Sequence, residues 1–210
     1  MIVTRVCLIG EAGTNLQYEL LSRETAREAL STYDLERPVE NSLAVRTVSI
    51  GAAVSLLNDL NWYLTRFVDE ALVQDPSISD DDWLSRSLAT QLRNGDIEPE
   101  ATAEFCKVYG LERVDAGSEP AADDATGTGD SRTDADGGTK ASAGPETGTE
   151  SDPGAGMSDS SGADRAGVAE PTHRLVEPLY VRRVDGDIPE YDLRDVEDTL
   201  VVRLTEAEYS

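Results

Sequence analysis

Val3-Thr4-Arg5-Val6-Cys7-Leu8-Ile9 is apolar at nearly every position, and Gly10-Glu11-Ala12-Gly13 follows it as a turn. An uninterrupted apolar run of this length suits a strand covered on both faces, so it is expected to lie centrally in its sheet. Thr14-Asn15-Leu16-Gln17 then reads as a capping box, with Thr14 as N-cap and Gln17 at the third helical position. A helix is expected from there to about Tyr33, burying Leu16, Leu20, Leu21, Ala26 and Leu30 and turning its charged residues to solvent. Pro38 breaks the chain, and Leu43-Ala44-Val45-Arg46-Thr47-Val48-Ser49 has the β-branched content of a second strand. A helical crossover would place it parallel to the first, giving an N-terminal βαβ unit.

Working outward, Gly51 to Gln74 carries Ala53, Leu57, Leu60, Leu64, Phe67 and Ala71 at alternating four and three spacing, which predicts one long core helix. Asp75-Pro76 stops it. Ser79 with Asp80, Asp81 and Asp82 reads as the N-terminus of another helix beginning at Trp83, and Asn94-Gly95 ends that one. Pro99 is expected to open a short helix through Phe105, Val108 and Tyr109 to Gly110. Near the far end, Leu175 to Val184 and Thr199 to Thr205 are strand-like and are expected to pair as an antiparallel hairpin. Two strands alone make a poor sheet, so the hairpin should complete a mixed sheet of four with the N-terminal pair. The expected architecture is a single α/β domain, with residues 1–114 forming most of the core and residues 172–210 the hairpin.

Between them, residues 115–171 hold no aromatic residue and no Leu or Ile; Met157 and Val168 are the large apolar side chains. Such a segment cannot offset backbone ordering of about 1 to 2 kcal/mol per residue, so a disordered acidic insertion is expected there.

The charge balance bounds the medium. There are 42 acidic residues against 18 basic ones, a formal net charge of −24, with Lys107 and Lys140 the only lysines. In dilute buffer these charges repel across about 10 Å, a length that molar salt cuts to about 3 Å. Acid spread along the whole chain fits a very salty cytoplasm. No secretory signal is visible at the N-terminus, and the most apolar window, Gly51 to Val73, contains Asn58, Asp59, Asn61, Arg66, Asp69 and Glu70, too many polar groups for a membrane span. Cys7 and Cys106 lack a CxxC spacing and read as small buried hydrophobes.

Several chemistries are disfavoured. His173 is the single histidine and falls outside the expected core, which leaves none for a triad, a general base or a zinc cluster. Gly10 and Gly13 occupy the place of a phosphate loop, yet the phosphate-binding glycine patterns are absent and Glu11 would repel an anion. Asp80 to Asp82 and the loop from Asp185 to Asp192 gather carboxylates without the ligand spacing of a calcium loop. No metal and no cofactor is expected. One constellation stands out: Arg5, Arg46, Arg182, Arg183 and Arg203 fall on expected strands with Tyr180 nearby. Gathered on one sheet face they would hold an anion, an acidic partner or RNA; paired with local carboxylates they would only close ion pairs. Nonspecific nucleic-acid binding needs a positive field that the net charge denies.

At Tyr18-Glu19-Leu20-Leu21-Ser22-Arg23-Glu24-Thr25-Ala26, Leu57-Asn58-Asp59-Leu60-Asn61-Trp62-Tyr63 and Pro189-Glu190-Tyr191-Asp192-Leu193, the chain resembles a small uncharacterised family of haloarchaeal proteins. The resemblance implies a lineage and a salty medium, and brings no activity or catalytic residue. The sequence therefore points to a non-enzymatic interaction or regulatory module, with an unknown protein or an anionic small molecule as partner. The competing class is a small-molecule enzyme using carboxylate, arginine and tyrosine groups at strand ends. A deep pocket joining Gly10 and Gly13 to Asn58, Asn61 or an arginine would favour the enzyme, and a shallow sheet face the module.

Overall fold

A computed structural model describes residues 3–114, 171, 173–184 and 186–210. The expected disorder of residues 115–171 falls, apart from Pro171, outside them. The described chain forms a mixed α/β fold on one sheet of seven strands, ordered β2-β1-β3-β4-β7-β5-β6, where a sheet of four was expected. The strands are β1 (Thr4–Gly10), β2 (Ser42–Thr47), β3 (Val68–Gln74), β4 (Trp83–Ser85), β5 (Phe105–Arg113), β6 (His173–Arg182) and β7 (Asp198–Leu204).

β1 lies inside the sheet as its composition requires, but its partnership with β2 is antiparallel, with Thr4 opposite Thr47 and Ile9 opposite Ser42. The βαβ expectation fails for a geometric reason. The connection is not one long helix but two short ones, α1 (Leu16–Leu21) and α2 (Glu24–Leu30). A six- or seven-residue helix spans only about 10 Å, less than half the length of a seven-residue strand, so this pair does not carry the chain back along β1. The chain re-enters where it left, and the Gly10 amide donates to the Asn41 carbonyl at 2.8 Å. The N-cap of α1 is Asn15, whose side chain accepts from the Tyr18 amide, in place of the expected Thr14.

The long helix expected from Gly51 to Gln74 is three elements. Ser49 caps α3 (Ile50–Asp59), α4 (Asn61–Phe67) follows a break at Leu60, and Val68 onward becomes β3, antiparallel to β1. Leu64, Val68, Ala71 and Leu72 fit a helical stripe as well as a strand buried on both faces, and pairing with β1 decides between them. Trp83 likewise begins not a helix but β4. The helix, α5 (Arg86–Asn94), starts three residues beyond it on the Ser85 cap and stops at Gly95, left-handed at φ 75°. Pro99–Thr102 is a single 3₁₀ turn, and Phe105 to Gly110 is strand, with Cys106 and Val108 facing one side and Phe105, Lys107 and Tyr109 the other. The expected C-terminal hairpin is absent as well: β5 lies between β6 and β7, pairing antiparallel with each, and β7 also runs parallel to β4. α6 (Glu206–Tyr209) closes the chain on a capping box from Thr205 and Glu208.

The first five helices cover one face of the β2-β1-β3-β4 half, burying Val6, Leu8, Val45, Val73 and Leu84 against Leu16, Leu20, Leu57 and Leu88. On the same face of the other half, Cys106, Val108 and Val181 pack under Ile188 and Tyr191. The opposite face curls around its own apolar residues, bringing Cys7, Ile9, Ala44, Leu72, Trp83, Tyr109, Val202 and Leu204 into one cluster. The curl nearly closes the sheet: the Glu40 amide, just before edge strand β2, donates to the carbonyl of His173 on edge strand β6 at 2.7 Å. No helix among the described residues is long and apolar enough to cross a membrane.

Candidate functional site

Where the curled edges approach each other, the sheet opens into a cleft of about 640 Å³. One wall is the turn after β1 together with the loop before β2. Gly10 stands there for close packing: a Cβ would lie 2.4 Å from Asn41 Nδ2 and 2.8 Å from Leu16 Cβ. Asn41, left-handed at φ 50°, ties the wall together, accepting from the Leu16 amide at 3.0 Å and donating to the Glu11 carbonyl at 3.3 Å. Gly13 takes φ 81° in the turn, a conformation that disfavours a side chain. The facing wall comes from β6, from Arg174 to Pro178, with Asp69 at the start of β3 and the Tyr109 ring between.

The charges around the cleft are mostly committed. Arg174 donates to Glu112 at 2.7 Å, and Glu177 receives Arg194 at 3.2 Å, a hydrogen bond that holds the Glu177 carboxyl below its ordinary range. The Tyr109 hydroxyl donates to Glu70 Oε1 at 3.0 Å, and the Lys107 ammonium meets the same oxygen while lying over the rings of Tyr109 and Tyr180. Burial, reinforced by the Glu70 charge, pushes the Tyr109 phenol well above its ordinary value. For Lys107, burial works downward, and the bond to Glu70 overcomes it and keeps the ammonium charged. One Glu70 oxygen is thus shared by a phenol and an ammonium, and Tyr109 acts there as a hydrogen-bond donor.

Arg37 differs. It lines the cleft half-buried and makes no hydrogen bond, ion pair or ring contact with any described residue. Arg27 and Arg93 also lack such partners, but both are exposed on helices. Every other described cation is engaged by a carboxylate, an amide or an aromatic ring.

The strand arginines singled out by sequence are not gathered into one unit. Arg5 donates to Gln74 at 3.3 Å and lies over the Trp83 ring. Arg46, directly across from it, is exposed and pairs with Glu36 at 2.7 Å. Arg182 pairs with Glu104 over the Phe105 ring, and Tyr180 lies under Lys107. Arg203 and Arg183 both donate to Asp82, at 2.7 and 3.0 Å, with Arg203 also reaching Thr102 at 2.9 Å and Arg183 Nε buried without a partner. Asp82, expected as a helix-start residue, is thus the anion of a buried cluster. Asn58 and Asn61 both receive Arg86, away from the cleft. Of the sequence candidates, Gly10 and Gly13 reach the cleft; Arg37 and Tyr109 were missed. The signal for Arg37 was a cation beside Pro38 in a cation-poor chain, although its lack of a partner is visible only in three dimensions. Among the described residues no group of three or more His, Cys, Asp or Glu side chains is placed to hold a metal ion.

Comparison with known proteins adds family membership. No curated protein and no solved structure matches the chain. A family model, described as a family of unknown function (DUF5804), matches residues 4–111, from β1 into β5, and includes Gly10, Gly13, Arg37, Asp69 and Tyr109 of the cleft. Since that match spans half of the 210 residues, the chain belongs to the DUF5804 family.

Proposed function

We propose that this protein is a non-enzymatic binding module that takes a small anionic molecule in the cleft, with Arg37 as its anchor. The single observation that carries this reading is the uncommitted Arg37 guanidinium. Withdrawing a guanidinium partly from water without a counter-ion is unfavourable. In a chain with a net charge of −24, carboxylates are abundant, yet none of the described ones is placed against it. The rigid wall of Gly10 and Asn41 supports a site formed before the ligand arrives. A planar guanidinium suits a carboxylate or a phosphate through two parallel hydrogen bonds. The acid excess further supports work in a salty cytoplasm, where the anion would reach the cleft through screened repulsion.

Isothermal titration of the protein with a panel of small carboxylates and phosphate monoesters tests the reading. At least one should bind, and Arg37→Ala should weaken it about tenfold or more while leaving the thermal midpoint nearly unchanged. Binding that is indifferent to Arg37→Ala would remove the proposal. An enzyme acting on the same molecule is the second reading, favoured because Gly10 and Gly13 meet two arginines, Arg37 and Arg174, in one cleft. Ligand recovered chemically altered after incubation supports the enzyme, and ligand recovered intact supports the module.

A further inference from the structure

Arg37 is not the sole uncommitted charge at the cleft. Asp69 and Glu40 line it too, both exposed, and neither carboxylate has a hydrogen bond or an ion pair with a described residue. The remaining charges there are Arg174 and Glu177, and each is held by a partner. What the cleft offers is therefore one free cation and two free anions. Glu40 lies three residues from Arg37 on the loop entering β2, whereas Asp69 is separated from both. Arg37 belongs to the loop entering β2, Asp69 to the start of β3, and β1 lies between those two strands. Two strand spacings put the backbones about 10 Å apart. Ile9, on β1 between those strands, and Leu175 and Val176 supply apolar surface among the lining residues.

From this arrangement we infer that the ligand is a zwitterion of the ω-amino-acid type, with its carboxylate on Arg37, its ammonium on Asp69 across the cleft, and an apolar spacer against Ile9, Leu175 and Val176. The inference rests on the anion-binding reading above and adds the second charge to it. A simple anion would leave Asp69 and Glu40 facing it with like charge, which opposes binding, whereas an ammonium at the far end turns that repulsion into attraction. An α-amino acid carries both charges on adjacent atoms and cannot bridge walls so far apart.

The experiment uses the full chain at the lowest KCl concentration at which circular dichroism shows it folded. Titrations compare caproate, ε-aminocaproate and hexylamine, three probes of one chain length carrying the anion, both charges or the cation. ε-Aminocaproate should bind about fivefold tighter than caproate, the advantage expected of a partly exposed ion pair. Hexylamine should bind more weakly than either. Asp69→Asn together with Glu40→Gln should abolish the preference and leave caproate, if anything, bound more tightly, whereas Arg37→Ala should weaken both carboxylates. Caproate binding as tightly as ε-aminocaproate to the wild-type protein, or a preference that survives the double variant, would overturn the zwitterion while leaving the anion site standing. Carboxylate binding that does not depend on Arg37 would sink both.

Discussion

At the residue scale, Asp75 shows how a charge is held at the end of a strand. Its carboxylate accepts from the Thr4 hydroxyl at 2.6 Å and from the Ser77 amide and hydroxyl at 3.0 and 2.6 Å, in a residue that is 5 % exposed. Burial alone would raise its pKa, but the hydrogen bonds from Ser77 and Thr4 together outweigh it and the value falls below the ordinary one. A carboxyl whose folded value is depressed contributes stability above its unfolded value of about 3.9, and that contribution is lost as pH falls through the folded value. Asp75→Asn should therefore be less stable than wild type by about 1 to 2 kcal/mol at neutral pH, with the difference shrinking as pH falls below the unfolded value in acid titrations of the unfolding midpoint. Cys7 illustrates the opposite case, a thiol pushed up to about 12 by burial, as its apolar surroundings in the sequence implied. The sequence did not disclose Asp75, because among so many carboxylates only the fold shows which one is surrounded by donors.

At the scale of elements, β1, β2, β6 and β7 were legible because their apolar content or alternation has no good helical alternative. β3 and β5 were not, since Leu64, Val68, Ala71 and Leu72, like Phe105, Val108 and Tyr109, satisfy helical and strand spacing alike until a neighbouring strand decides. β4, with three residues, was too short to register at all. The same limit hid most of the candidate site: the Gly10 to Gly13 turn could be read locally, while the facing wall is assembled from strands distant in sequence. The arginines of these elements separate by burial. Arg203 and Asp82 are each about one-tenth exposed and join β7 to the approach of β4, whereas the Arg46 side chain is 61 % exposed. Arg203→Ala leaves the buried Asp82 carboxylate to Arg183 alone and should cost clearly more than Arg46→Ala, which should cost no more than about 1 kcal/mol, both read by chemical denaturation in one buffer.

For the whole molecule, the net charge of −24 sets the conditions under which the sheet can stay curled. The thermal midpoint should rise between about 0.1 M and about 3 M KCl, because shorter screening relieves repulsion in the compact state. A flat or falling midpoint in scanning calorimetry would refute the salt-adapted reading. No local pattern revealed the order of the strands, since placing β7 between β4 and β5 depends on residues more than 90 positions apart, such as Cys106 and Arg203. That placement also governs how the chain can be made. During vectorial synthesis β4 and β5 emerge from the ribosome first, and the strand that separates them follows only after residues 114–197 have been translated. Until it arrives, both expose unpaired backbone edges, and they must not join each other. The nascent protein thus passes through a long interval in which its sheet is necessarily incomplete, when premature edge pairing and aggregation are the chief hazards and shielding by a chaperone would have its greatest effect.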